Sequence, residues 1–387
     1  MKESGMHLNS LACSLSGTKK ILLAIVLVHC FIFNVIYFAT SSKNGSISSI
    51  FIPCGTDCSS SQTNFRVLHN IILKDAKYTP AKIPKPEAMS INFLKGKQKV
   101  GDLYESSFQI PNEDLCYRNG TELKVLILIT SKPNHEKHRQ GIRLTWGHFS
   151  ARKDVAIAFV FGNSTLENQK ILDKESDIYE DIIQGTFMDN YPNVTLKTVS
   201  MLDWVLKYCS DVPFVLKTDD DMFINVPLLL SFIDRKSNES MVMYGRLGHH
   251  WTPNRNKKSK YFVDEKSYTA KYYPDFLSGP AYLFTSDISE ILLEKTLNTI
   301  FLPLEDVLIN GIVGESLMIK RIGVSPFQNM KVKISDTCEL MWSLSIHGIT
   351  YEEQFDIHKR TLNGKADCKK KPNSSYSILK LSNLVIL

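Results

Sequence analysis

Phe214-Val215-Leu216-Lys217-Thr218-Asp219-Asp220-Asp221-Met222-Phe223-Ile224-Asn225 is an apolar strand that ends directly in three carboxylates. In open α/β sheets ligands collect outside the carboxyl ends of strands, so a strand closing on acids marks both a sheet and the edge of a site. Adjacent anions repel one another unless positive charge is near, and hard cations such as Mg²⁺ or Mn²⁺ prefer oxygen ligands and bridge to phosphate. If the chain stays extended, Asp219 and Asp221 face one side and Asp220 the other, which lets one carboxylate hold metal while its neighbour meets another group of the ligand. The segment alone reads equally as a solvated acidic turn, with Asn225 and Pro227 starting the next helix. An EF-hand loop is excluded, because counting from Asp219 puts Phe223, Ile224 and Leu230 where a ligand, a glycine and a glutamate are needed.

Upstream, Lys124-Val125-Leu126-Ile127-Leu128-Ile129-Thr130 is a continuous apolar run of strand length, as expected for a strand buried on both faces of a parallel sheet. Further strands are expected at 155–161, 213–218, 241–245 and 282–285, with helical patterns at 166–174, 195–208 and 286–295 between them. This alternation predicts an α/β domain. The chain carries no Walker A loop, no G-x-G-x-x-G and no G-x-S-x-G, and His135-Glu136-Lys137-His138 is one residue too short for the zinc-protease helix motif.

Residues 21–39 form an apolar run interrupted only by His29 and Asn34, long enough to span a bilayer as a helix. Lys2, Lys19 and Lys20 precede it and only Lys43 follows closely, which puts the N-terminus in the cytosol and the bulk across the membrane, a type II arrangement. A cleaved secretory signal competes with this reading, but the apolar run and its leader are long for one. The expected organisation is a cytosolic tail (1–20), a signal anchor (21–39), a Ser-, Asn-, Lys- and Pro-containing lumenal stem (40–115), a catalytic domain (116–371) and a tail (372–387). Cys54, Cys58, Cys116, Cys209, Cys338 and Cys368 lie beyond the anchor and suit an oxidising compartment, without spacing that fixes their pairing. Sequons at Asn44, Asn119, Asn163, Asn193, Asn238 and Asn373 agree with secretory passage. The net charge of +6 is spread in short clusters such as 255–260 and 369–371, a pattern of solvated faces rather than a nucleic-acid track, so no nucleic-acid partner is expected.

Six ordered blocks then carry a resemblance. They are Arg139-Gln140-Gly141-Ile142-Arg143-Leu144-Thr145-Trp146, Phe159-Val160-Phe161-Gly162, the stretch 180–198 that opens Glu180-Asp181-Ile182 and includes Asp189, Tyr191, Asn193 and Lys197, Lys217 to Asn225, Tyr273-Pro274 with Gly279 and Tyr282, and Glu305-Asp306-Val307. Together they resemble the β-1,3-galactosyltransferase family (glycosyltransferase family 31), which also contains β-1,3-N-acetylglucosaminyltransferases. The resemblance covers about 139–368. It implies the GT-A fold, a Rossmann-like nucleotide-sugar-binding half joined to an acceptor-binding half, and an inverting transfer from an α-linked UDP-sugar to a hydroxyl of an acceptor sugar.

Such a reaction needs a base at the attacking hydroxyl and positive charge on the departing diphosphate. The resemblance implies that Asp221 and His347 ligate Mn²⁺ or Mg²⁺, that Asp306, ahead of Glu305, is the base, and that Arg139, Arg143, Lys217, Asp219, Asp220 and Gly279 serve the nucleotide sugar. Each has a plainer alternative. The Glu305-Asp306 pair also suits the start of a helix, Arg139 and Arg143 an internal salt bridge, and His347 a structural role. Trp146 and Tyr191 read as packing residues. The expected partners are UDP-galactose, a glycan acceptor on glycoprotein or glycolipid, and the Golgi membrane, with the catalytic domain lumenal. Departures from the family pattern, Ala281 for a glycine and Thr186 for an aspartate, bear on the acceptor and the exact donor sugar. Transfer of N-acetylglucosamine from its UDP donor is the nearest rival, and a non-catalytic lectin-like or chaperone protein on the same fold is a different class, for which erosion of the triplet or of Glu305-Asp306 would be expected.

Overall fold

The structure, a computed structural model, describes residues 98–363 and Cys368. Its strands in chain order are β1 (Phe108–Ile110), β2 (Val125–Thr130), β3 (Val155–Asn163), β4 (Ile182–Met188), β5 (Phe214–Asp219), β6 (Met222–Ile224), β7 (Val242–Gly248), β8 (Phe276–Thr285), β9 (Lys320–Gly323), β10 (Phe327–Gln328) and β11 (Ser345–His347). Eight of them form one mixed sheet in the order β1-β4-β3-β2-β5-β8-β7-β9, and β10-β11-β6 form a second, small one. The central strands β4, β3, β2 and β5 are parallel, whereas β8 is antiparallel to both β5 and β7. The expected α/β domain is present, with antiparallel strands added on the β5 side.

The helices that cover the sheet are α1 (Glu136–Arg143), α2 (Leu166–Tyr179), α3 (Val194–Tyr208), α4 (Val226–Asp234), α5 (Ser289–Leu297), α6 (Thr337–Trp342) and α7 (Tyr351–Asn363). The apolar run of β2 behaves as its composition predicts. Leu126 and Leu128 pack into one core cluster with α3 residues such as Leu202 and Val205, while Val125, Ile127 and Ile129 enter the other with Trp146 and Phe214. Burial of this kind contributes about 1.5–3 kcal/mol for each large apolar side chain. A Pro at the start of α4 and the Asn225 side chain, which accepts from Leu228 N at 3.2 Å, begin that helix as read from sequence.

Residues 99–115, expected in the stem, belong to the domain instead. Val100 is fully buried and donates its N–H to Thr299 O, and β1 pairs antiparallel with β4, covering an otherwise open sheet edge. Among the described residues no helix is long and apolar enough to cross a membrane, and the expected anchor at 21–39 lies outside them. Cys13, Cys30, Cys54, Cys58, Asn44 and Asn373 also lie outside. Of the remaining sequons, Asn119 and Asn238 are exposed, whereas the Asn163 and Asn193 amides donate to the carbonyls of Thr186 and Met188.

Among the described residues two disulfides form, Cys116–Cys209 and Cys338–Cys368. The first ties the segment before β2 to the end of α3. It demands a glycine at 120, where φ is +85° and an added Cβ would meet Cys209 Sγ at 2.9 Å. Replacing Cys116 and Cys209 together with serine is expected to cost about 2–5 kcal/mol of stability, read from denaturant unfolding of the oxidised wild type against the variant.

Candidate active site

The acidic turn sits where the two sheets meet. β5 ends at Asp219 in the large sheet, β6 starts at Met222 in the small one, and the chain turns between them rather than staying extended. The turn is fixed through its backbone. Asp220 N donates to Thr130 O at 3.1 Å, Asp221 O accepts from Ile349 N at 2.9 Å, and Met222 O accepts from both the Trp146 indole and the Gln354 amide. Trp146 is therefore a packing residue, as its sequence reading held.

Because the chain turns, the three carboxylates diverge to three separate sets of partners. Asp219 Oδ1 accepts from Lys217 Nζ at 2.7 Å and Thr130 Oγ1 at 2.5 Å. Asp220, buried, accepts from Ser131 Oγ at 2.7 Å and lies 2.9 Å from His135 Nδ1. Asp221 faces β11, where the register sets His347 opposite Met222, and His347 Nε2 lies 3.3 Å from Asp221 Oδ2. The hydrogen bond it donates to the Asp221 carboxylate raises the His347 imidazole above its usual value, against the opposing effect of burial. Burial works to raise the Asp221 carboxyl, but His347 holds it below the usual range. An imidazole nitrogen and a carboxylate oxygen, both about one-third exposed, are the pair here that could hold a divalent cation, and among the described residues no group of three or more His, Cys, Asp or Glu is placed to do so.

The second half of the site is built on a bulge in β8. Register with β7 slips between Gly245↔Tyr282 and Leu247↔Leu277, which leaves residues 278–281 without β7 partners, while Ala281 stays opposite Thr218 of β5. Side chains satisfy the released backbone groups. Lys217 Nζ donates to Gly279 O at 2.8 Å, Thr218 Oγ1 to Pro280 O at 3.2 Å, and Asn329 Nδ2 to Ser278 O and Ala281 O at 2.9 and 3.0 Å. Pro280 has no N–H to lose, so it is tolerated there. Gly279 N donates to Asp306 Oδ2 at 2.9 Å, and a Cβ on Gly279 would lie 3.2 Å from that oxygen. Gly279 therefore serves close approach of backbone to the Asp306 carboxylate rather than to a ligand.

Glu305 and Asp306 precede a π-helix, Val307–Val313, the kind of irregular turn that concentrates at functional sites. Asp306 caps it, Oδ1 accepting from Val307 N at 2.9 Å, and Asn310 in its second turn bonds Leu277 through both N–H and carbonyl. The two carboxylates differ in surroundings. Glu305 is buried, with Oε1 accepting from Tyr282 OH at 2.5 Å and Oε2 3.8 Å from Lys217 Nζ. Burial pushes its carboxyl up to about 7, opposed by Lys217 and aided by Asp306. Asp306 is less enclosed, and burial raises it too, against the N–H bonds from Gly279 and Val307.

The structure thus brings together Lys217, Asp219, Asp221, Gly279, Glu305, Asp306 and His347. It does not leave Arg139 and Arg143 open to a nucleotide. Arg139 is fully buried, and its five N–H donors go to Glu175, Ser131 Oγ and the carbonyls of Lys132 and Pro133. Arg143 bonds Glu175 and Asp181 and lies 3.9 Å over the Tyr179 ring. Both form an ion network inside the domain whose carboxylates come from α2 and the start of β4. Arg139 still reaches the site indirectly, since Ser131 bonds both it and Asp220.

The sequence reading missed Thr130, Ser131 and His135 in the loop after β2, and Asn310 and Asn329 around the bulge. His135 and His138 were in view as a failed zinc-protease motif; their rings stack at 4.8 Å beside the triplet. Between β7 and β8, residues 249–275 form an excursion that exposes Trp251, Tyr261 and Tyr272. It is bonded largely to itself, through Arg255 to the carbonyls of Val263 and Tyr268 and through Tyr268 OH to Tyr272 O.

Two outcomes follow from these charges. Lys217→Met, which leaves Asp219 and Glu305 without their buried ammonium, is expected to cost about 3–5 kcal/mol by chemical denaturation at pH 7. For Glu305, a folded value of about 7 against an unfolded 4.5 means that the folded state holds the proton more tightly, so stability falls as pH rises from 4.5 to 7. Glu305→Gln, which cannot ionise, is expected to lose that slope, worth up to about 3 kcal/mol at pH 7 and above.

Residues 137–325 match the family described as Galactosyltransferase. The chain is 32% identical over 278 residues to β-1,3-galactosyltransferase 1 of Homo sapiens, covering 69% of this chain and 82% of the relative. With β-1,3-galactosyltransferase 2 of Homo sapiens it shares 35% identity over 211 residues, 53% of this chain and 50% of that one. Among solved structures, the galactosyltransferase LgtC in complex with donor and acceptor sugar analogues aligns with 11% identity and a TM-score of 0.32 over 60% of this chain and 95% of that one. On its sequence matches, the chain belongs to the β-1,3-galactosyltransferase family, glycosyltransferase family 31.

Proposed function

We propose that this protein is an inverting, metal-dependent glycosyltransferase of the GT-A fold that moves galactose from UDP-galactose to a hydroxyl of a terminal sugar on a glycoprotein or glycolipid glycan, forming a β-1,3 linkage. The observation that carries the reading is that Lys217 bonds Asp219 and the Gly279 carbonyl beside Glu305, and so ties the partly exposed turn that bears Asp221 and faces His347 to the enclosed Glu305–Asp306 corner. A transfer that separates charge between a departing diphosphate and an attacking hydroxyl needs this division of labour.

Asp306 is the base. The acceptor oxygen attacks the anomeric carbon from the face opposite the diphosphate, its proton passes to the Asp306 carboxylate, and the anomeric C–O bond to UDP breaks as the new one forms. Burial keeps that carboxyl more basic than an exposed aspartate, and the Gly279 and Val307 N–H groups fix its orientation. Glu305, held by Tyr282 and Lys217, supports Asp306 from behind. At the other end Asp221 and His347 would hold Mn²⁺ or Mg²⁺, which supplies Lewis-acid charge to the leaving diphosphate. Asp219 and Asp220 are tied to Lys217, Thr130, Ser131 and His135, so they shape the turn, with Asp220 nearest the loop after β2.

The family membership and the apolar 21–39 run support a type II protein of the Golgi membrane with its catalytic domain in the lumen. An intact triplet and an intact Glu305-Asp306 pair speak against a lectin-like protein on the same scaffold.

Purified full-length enzyme offered a panel of UDP-sugars is expected to consume UDP-galactose in Mn²⁺ and to stop in EDTA. Asp306→Asn is expected to lower kcat by about 10²–10⁴ with donor KM little changed, whereas Asp221→Ala loses the Mn²⁺ stimulation. Turnover of UDP-N-acetylglucosamine alone would reassign the donor, and a folded wild type that binds and turns over no UDP-sugar would sink the enzymatic reading.

A further inference from the structure

The β8 bulge and the small sheet are separate stretches of backbone, and the Asn329 side chain joins them. Its Nδ2 donates to Ser278 O at 2.9 Å and Ala281 O at 3.0 Å, on either side of Gly279, and its Oδ1 accepts from Ser345 Oγ at 3.1 Å. Ser345 is the first residue of β11 and His347 the last. Gly279 is the residue whose N–H holds Asp306. One buried carboxamide therefore touches the strand that carries the metal-end imidazole and the bulge that orients the base.

We propose that Asn329 is a positioning residue for glycosyl transfer: it fixes the separation between the His347 strand and the Asp306 corner, and with it the approach of the attacking oxygen to the anomeric carbon. This rests on the assignment of Asp306 as base and of Asp221–His347 to the diphosphate end.

The chemistry of the side chain suits the task. Two N–H donors and a carbonyl oxygen lie in one rigid plane, and the two donors meet two carbonyls that the bulge has removed from the ladder with β7. Aspartate would set a carboxylate against those carbonyls, serine is too short to span them, and glutamine adds a rotatable bond where rigidity is the point. Asn329 is buried, so solvent does not compete for these bonds. Misplacement of reacting groups by about 1 Å can cost on the order of 10²-fold in rate, so a link of this kind is read in turnover rather than in binding.

The test is hydrolysis of UDP-galactose by full-length wild type, Asn329→Ala, Ser345→Ala and the double variant, with water standing in for the acceptor, at a temperature well below each melting point. Expected is a fall in kcat of about tenfold or more for Asn329→Ala and a smaller one for Ser345→Ala. Donor KM and the Mn²⁺ concentration for half-maximal rate should each move less than about threefold. Because the two residues form one link, the double variant should be no slower than Asn329→Ala, a non-additivity that general loosening does not produce. If Asn329→Ala does not fold, Ser345→Ala carries the test through the same kcat-against-KM split. A lowered melting temperature with unchanged kcat, or a rise in donor KM alone, overturns the proposal while leaving the enzymatic reading intact. A folded wild type that turns over no UDP-sugar overturns both.

Discussion

A single buried ammonium organises this site. Lys217 sits on a central strand with almost no exposure, where an isolated charge would be lost to the cost of desolvation. Burial acts to lower its proton affinity, yet Asp219 and Glu305 outweigh that and push it up to about 12, so it stays charged at any working pH. Its remaining bond, to Gly279 O, pulls the β8 bulge toward β5. The ammonium thus sets the distance between the strand end that bears the triplet and the corner that bears Glu305 and Asp306. The acidic pair in turn needs it, because carboxylates so enclosed would repel one another without a cation between them.

The bulge is the mechanical counterpart of that charge. A regular strand at 278–281 would spend its N–H and C=O groups on β7; the slipped register frees them, and each is taken up by a side chain with a second duty in the site. Lys217 balances charge, Thr218 precedes the triplet, Asn310 anchors the π-helix, and Asn329 reaches β11. Backbone irregularity and chemistry coincide here because the same unpaired groups that would destabilise a strand are the ones that can hold an aspartate in place.

The strongest sequence signal was local. The triplet at the end of β5, the doubly buried β2 and the Glu-Asp pair before an apolar turn are legible because each is a pattern within ten residues. Arg139 and Arg143 were open to two readings because their spacing reports a shared helix face but not what faces it, and the deciding partners, Glu175 and Asp181, lie more than thirty residues away. Asn310 and Asn329 had no signal at all, since an amide gains its meaning only from a carbonyl that a register slip has orphaned. The beginning of the domain was misjudged for a similar reason: β1 is three residues long and half-buried, a pattern that polar flanking sequence hides.

The excursion at 249–275 is held to this hub by other means: Val263 and Tyr273 are buried in the core, and the charges of His347 and Asp306 reach Lys260 and Tyr273 within it. It leaves and rejoins the sheet at neighbouring strands, and its own hydrogen bonds run mostly within itself, while the groups that hold Asp306 and Lys217 lie in β5, β8 and the turn at 305–307. The hub is thus wired by hydrogen bonds, whereas the excursion is pinned by buried side chains and keeps Trp251, Tyr261 and Tyr272 on its outside. Aromatic content and charge at its exposed positions are free to diversify among descendants of such a chain, each trying a new surface beside the same fixed chemistry.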